Sequence, residues 1–175
     1  MKIAELLLPE FDIEMQSTRK VLERLPEEKF GWKPHAKSSS MGHLGSHVAN
    51  LVTWANRAIE KDEHDVAPPG STPGKMPEAA TRAELLDLFD RNVAAARVAI
   101  AGASDAMLGE PWTFKIGAKV VFKLPRHMVI RSACMNHIVH HRAQLSVYLR
   151  LCDVPVPGIY GPTADEGLPQ GRDDR

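Results

Sequence analysis

The stretch Asn136-His137-Ile138-Val139-His140-His141-Arg142-Ala143-Gln144-Leu145 decides how this chain is read. On a helical wheel, His137 and His141 fall beside Ile130, Cys134, Leu145 and Tyr148 inside one apolar arc. His140 falls at the edge of that arc, while Arg142, Ser146 and Arg150 lie on the far side. An imidazole facing hydrocarbon is costly unless something binds it. Histidines at i and i+4 have the spacing with which one helical turn chelates a transition-metal ion. Two donors do not complete a site, so a third must come from elsewhere in the chain.

A second pair at the same spacing, His43 and His47, lies on a helix expected over residues 41–61. Ser40 is its N-cap, and Leu44, His47, Val48, Leu51, Ala55 and Ala58 share its inner side. Periodicity favours His47 only slightly and leaves His43 open. His35 and His64 fall in loops and read as solvated, and His127 opens the last helix with no particular role.

Three more helices are expected. The first covers residues 3–25 or starts at Pro9, and Pro26 ends it. The third opens on the capping box Thr81-Arg82-Ala83-Glu84 and reaches about residue 103; the fourth covers 126–151. Between these two, Trp112, Phe114 and Ile116 alternate with polar residues and Val120-Val121-Phe122 follows, which predicts a β-hairpin turning near Gly117. Residues 63–80, rich in Pro and Gly, read as a long surface loop, and 155–175 as an irregular tail. The pattern predicts an all-α domain over residues 1–175, a four-helix bundle with one short hairpin.

Composition narrows the function. Lys plus Arg and Asp plus Glu balance at 22 each, which leaves no basic footprint for nucleic acid or an anionic membrane. No apolar run is long enough for a signal peptide or a membrane span, so the chain is expected to be cytoplasmic. Cys134 and Cys152, on one helix, stand roughly 27 Å apart and cannot pair. There is no Gly-x-Ser-x-Gly elbow, no phosphate-binding glycine loop and no His-Glu-x-x-His. Trp32 and Trp54 read as packing residues.

Several stretches together resemble the DinB-like superfamily of metalloenzymes, the bundles related to DinB and YfiT proteins. They are Glu14 to Arg19, Leu22-Glu23-Arg24-Leu25-Pro26, Trp32-Lys33-Pro34-His35, Met41 to Ala49, Asn136 to Leu145, Val154 to Pro157 and Tyr160-Gly161-Pro162. The resemblance implies an up-up-down-down bundle, a homodimer, and a divalent metal held by one histidine of the second helix and two of the last. Carried over by position, these are His47, His137 and His141. Ala143 stands where many relatives have glycine. The family includes thiol S-transferases using bacillithiol, mycothiol or glutathione, and a mycothiol-dependent isomerase.

Three imidazoles suit Zn²⁺ or Ni²⁺ better than harder ions and leave a coordination position open. The expected function is therefore activation of a low-molecular-weight thiol toward a small-molecule electrophile. Metal-assisted hydrolysis and a non-catalytic metal-binding stress-response bundle are the alternatives.

Overall fold

The first helix, α1 (Ile3–Glu23), begins ahead of Pro9 and carries that proline on its exposed side. Its opening is fixed from outside, because the Ile3 amide donates to Asp105 Oδ1 at 2.8 Å. Phe11, Met15, Thr18 and Leu22 form the buried stripe that the sequence pattern gives. The structure, a computed structural model, describes residues 2–71 and 76–167.

The helix expected over 41–61 is broken into α2 (Met41–Leu51) and α3 (Thr53–Glu60). The interruption has a local cause. Thr53 Oγ1 donates to the Asn50 carbonyl at 2.7 Å, and the Asn50 amide donates to the Ser46 carbonyl at 2.7 Å, so side chains compete with the backbone ladder. The start of α2 is fully satisfied. Met41 N donates to Trp32 O, Gly42 N to Phe30 O, and His43 N to Ser40 Oγ. Two glycines let the helix lie close: a Cβ on Gly42 would sit 2.9 Å from Phe30 Cβ, and one on Gly45 3.0 Å from Leu25 Cδ1.

Residues 63–80 are not a plain loop. Glu63–Asp65 forms β1, which pairs in parallel with a later strand. Residues 72–75 of the expected loop lie outside the described residues. The chain continues through α4 (Arg82–Gly102), capped by Thr81 Oγ1 accepting from Glu84 N, and a short α5 (Asp105–Gly109) that the sequence pattern did not predict. The hairpin is as expected: β2 (Pro111–Ile116) and β3 (Lys119–Pro125) pair antiparallel, with Gly117 at φ +59° opening a two-residue loop. The sheet order is β1-β2-β3, so the fold is mostly helical with a small three-stranded sheet.

The last helical stretch runs as α6 (Arg126–Val129), a π-helical turn (Ile130–Asn136) and α7 (His137–Leu151). In the core, α1 packs on α4 and α7, α2 on α4 and α7, and α3 on α4 and the π turn. No described helix is long and apolar enough to cross a membrane.

The sequence pattern placed Arg142 on the solvent side of α7, but it is 3% exposed. A straight wheel with 100° steps fails here because the π turn advances less per residue, which buries Met135 as well as Ile138, and because a polar network receives Arg142. Arg142 Nη1 lies 2.7 Å from Glu14 Oε2 and also donates to Glu14 O and Thr18 Oγ1. Arg142 Nη2 donates to Tyr160 Oη at 2.6 Å, and Tyr160 in turn donates to the Glu14 carboxylate. Tyr160 belongs to the irregular tail, which is thereby tied to α1 and α7; residues 168–175 of that tail lie outside the described residues. A second buried arginine, Arg126, caps α3 by donating to the carbonyls of Ala58 and Lys61 and to Asp62 Oδ1.

Removing one partner of a buried ion pair strands the other, so Arg142→Ala is expected to cost about 3–5 kcal/mol, measured by urea unfolding. A loss below ~1 kcal/mol would show that water reaches Glu14 and that the pair holds little. Gly42→Val is expected to lower stability by about 1–3 kcal/mol through crowding against Phe30, read from the same transition midpoint.

Candidate metal centre

Each imidazole reaches the site from a locally determined position. His47 stands two turns into α2, on the side that also carries Asn50, Leu51 and Trp54. His137 and His141 occupy the first two turns of α7, directly after the π turn. They sit at the edge of the buried arc rather than inside it. Ile138, Leu145 and Leu149 take the centre, and all three histidines are half-buried.

One nitrogen from each of His47, His137 and His141 lies within 4.8 Å of the others. Ring centroids are 5.4 Å apart for His47 and His137, 4.8 Å for His47 and His141, and 4.7 Å for His137 and His141. His137 Nε2 and His141 Nε2 approach to 2.9 Å. Nitrogens bound to one tetrahedral zinc stand roughly 3.3 Å apart, given Zn–N of about 2.0–2.1 Å. The observed separations bracket that value, so the donor set fits a first-row metal ion.

Hydrogen bonding places His141 in the matching tautomer. His141 Nδ1 is 2.7 Å from Gln144 Oε1, an acceptor, which places the proton on Nδ1 and the lone pair on Nε2. Gln144 Nε2 is in turn 3.3 Å from His140 Nε2. Burial, reinforced by the like charges His141, His137 and His43 would carry, pushes the His47 pKa down to about 4. Burial and the neighbouring His141 and His140 likewise lower that of His137, against a backbone hydrogen bond to Ala133. His47 and His137 are therefore neutral donors at neutral pH.

The other histidines are elsewhere. His43 is exposed, with Nδ1 3.4 Å from Glu78 Oε2, and His140 is exposed beside Gln144. The two candidates that periodicity left open on α2 are thus separated by geometry, because only His47 joins the α7 pair. His127 Nδ1 contacts the Leu108 carbonyl at 2.9 Å. His64, expected in solvent, is half-buried: its ring stacks on Phe114 and meets the edge of Trp54, because β1 draws it onto the sheet.

A cavity of about 510 Å³ opens from His47 and His137 toward β1. Leu51, Trp54 and Met76 supply its apolar wall, and Arg57, His64 and Asp65 its polar groups. Trp54, read from sequence as packing, does pack against Trp112 and Phe114 but also faces this cavity. No local motif announces Arg57 or Asp65 as part of the site; only the α2–α3 stripe from His47 through Trp54 to Arg57, at helical spacing, hints at it.

Comparison with known proteins agrees with this architecture. The family model described as the DinB superfamily matches residues 10–145. Comparison with proteins of curated function gives no match. The crystal structure of a DinB-like protein from Bacillus cereus ATCC 10987 is similar at a TM-score of 0.68 and 20% identity, covering 87% of this chain and 95% of that one. A DinB-like protein from Bacillus subtilis is similar at a TM-score of 0.67 and 18% identity, covering 88% and 97%. At such identities the two structures speak for the fold alone. The family match spans most of the chain and includes all three converging histidines, and the protein is a member of the DinB superfamily.

Proposed function

We propose that His47, His137 and His141 hold one divalent transition-metal ion, zinc or nickel, and that the protein is a metal-dependent transferase for a low-molecular-weight thiol. The observation that carries this reading is the convergence of three imidazoles, two of which, His47 and His137, line a cavity large enough for a small molecule. Three protein ligands are the count of a catalytic zinc site, whereas a structural site closes with four. When bound, such an ion stabilises developing negative charge and eases loss of a proton from a coordinated thiol or water.

The chain's own residues do the rest. Gln144 holds His141 in the tautomer that presents Nε2. Leu51, Trp54 and Met76 keep the substrate's surroundings apolar and orient it. Thiol transfer is favoured over hydrolysis because Asp65, the described carboxylate that lines the cavity, is committed elsewhere. Its Oδ1 accepts from Ala67 N at 2.9 Å and Gly117 N at 2.8 Å, which holds its pKa below the usual range and leaves it a poor base. In this reading α2 with α3, and α6 with the π turn and α7, each count as one bent helix of a four-helix bundle, and the family resemblance adds a homodimer.

Elemental analysis of the untagged protein is expected to find about one equivalent of zinc or nickel per chain. His47→Ala, His137→Ala and His141→Ala should each lose it, while His43→Ala and His140→Ala keep it. No metal in the wild type after reconstitution would sink the assignment. The metal-loaded protein is expected to conjugate glutathione, bacillithiol or mycothiol to 1-chloro-2,4-dinitrobenzene; full metal with no turnover on any of them would remove the transferase reading and leave a metal-binding protein. Gln144→Ala is expected to weaken metal binding about 10–100-fold in competition with a chromophoric chelator, with an unchanged melting temperature of the metal-free protein.

A further inference from the structure

Arg57 differs from most arginines of this protein. Arg19, Arg97, Arg131 and Arg150 each meet a carboxylate, on Asp90, Asp12, Glu10 and Asp165 respectively. Arg142 and Arg126 are also paired, although they are buried. Arg57 is half-buried, lines the cavity, and has no carboxylate partner among the described residues. Burial lowers its pKa with no acidic group to oppose it, and its charge in turn helps to lower that of His64. A half-buried guanidinium with no carboxylate partner keeps its planar donor fork free to receive a carboxylate.

Its surroundings specify the anion. Arg57 stands one turn beyond Trp54 on α3, with Cζ 6.0 Å from the centre of the Trp54 ring. Its backbone is anchored separately, since Trp112 Nε1 donates to the Arg57 carbonyl at 3.1 Å, which leaves the side chain available. Asp65 lines the same cavity but makes no ion pair with Arg57; its Oδ1 instead accepts from the Ala67 and Gly117 amides. Along α2 and α3, ten residues separate His47 from Arg57, about 15 Å of helix axis before either side chain leans inward. Between them lie Leu51, Trp54 and Met76, an aromatic and aliphatic middle.

We propose that this cavity binds a small organic acid, with its carboxylate on the Arg57 guanidinium, its apolar or aromatic body against Trp54, Leu51 and Met76, and its other end directed at the imidazoles. Arg57 is the residue that selects for the anion. The orientation of the far end rests on the proposed metal function; the anion site itself does not, because it is built from α3 and the cavity wall alone.

The test uses metal-free protein, so that a failed metal assignment leaves the result readable. Calorimetric titration compares 2-naphthoate with its neutral isostere 2-naphthamide. Wild type is expected to prefer the acid by about tenfold or more, the range of one charge-assisted hydrogen-bonding pair. Arg57→Gln should abolish that preference by weakening the acid and sparing the amide, while Arg57→Lys should keep part of it. Retained amide binding in Arg57→Gln also shows that the cavity is still folded. Equal affinity of wild type for acid and amide, no binding of either, or undiminished acid binding by Arg57→Gln would each overturn the proposal.

Discussion

The Arg142–Glu14 pair is an ion pair closed to water, with side-chain exposures of 3% and 11%, and the rotation of α7 about its own axis depends on it. Four acceptors, the Glu14 carboxylate and carbonyl, Thr18 Oγ1 and Tyr160 Oη, fix where the guanidinium sits. Adjacent helical residues diverge by about 100°, so anchoring Arg142 against α1 sends His141 toward α2. Ile138 and Leu145 then fill the core between them, and His137 follows His141 one turn earlier. A small rotation of α7 would carry both rings past His47 and leave a buried charge without its acceptors. A buried pair of this kind contributes less through net stability than through the arrangements it forbids.

The opposite wall is held by another means. Satisfied amides at the start of α2, together with the close approaches at Gly42 and Gly45, place that helix against the Phe30 turn, Leu25 and Leu85. Hydrogen bonds from Asn50 to the Pro77 carbonyl and from the Ala79 amide to Ser46 then draw the far side of the long connection over α2. His47 and Arg57 thus lie along the α2–α3 side of the cavity with Leu51 and Trp54 between them, half-buried, where charge interactions are less screened than at the surface pairs.

What could be read from the sequence was what local chemistry decides. Ser40 and Thr81 cap helices because their hydroxyls reach amides three residues on, Gly117 turns a hairpin because its backbone takes a positive φ, and the i, i+4 histidines share a side because helical geometry requires it. What could not be read depends on partners distant in sequence. Glu63–Asp65 becomes a strand only when β2 is present to pair with it, and Arg142 is buried only because Glu14 and Tyr160 await it. The π turn eludes any fixed wheel, since it advances less per residue than the α-helix on either side of it. For the site, the spacing gave the α7 pair and the family resemblance chose His47 where periodicity left His43 open, while the roles of Gln144 and Arg57 needed the third dimension.

The parallel pairing of β1 with β2 carries a kinetic cost for this architecture. Asp65 Oδ1 and the Gly117 amide that it holds are 52 residues apart, and all of α4 and α5 lies in the intervening chain. Closing so long a loop before those helices dock is entropically unfavourable. The wall bearing His64 and Asp65 is therefore assembled after the helical core, and it rests on a three-residue strand with few ladder bonds. With so few ladder bonds, the amides of that edge are expected to exchange faster than those of the helices that carry the imidazoles.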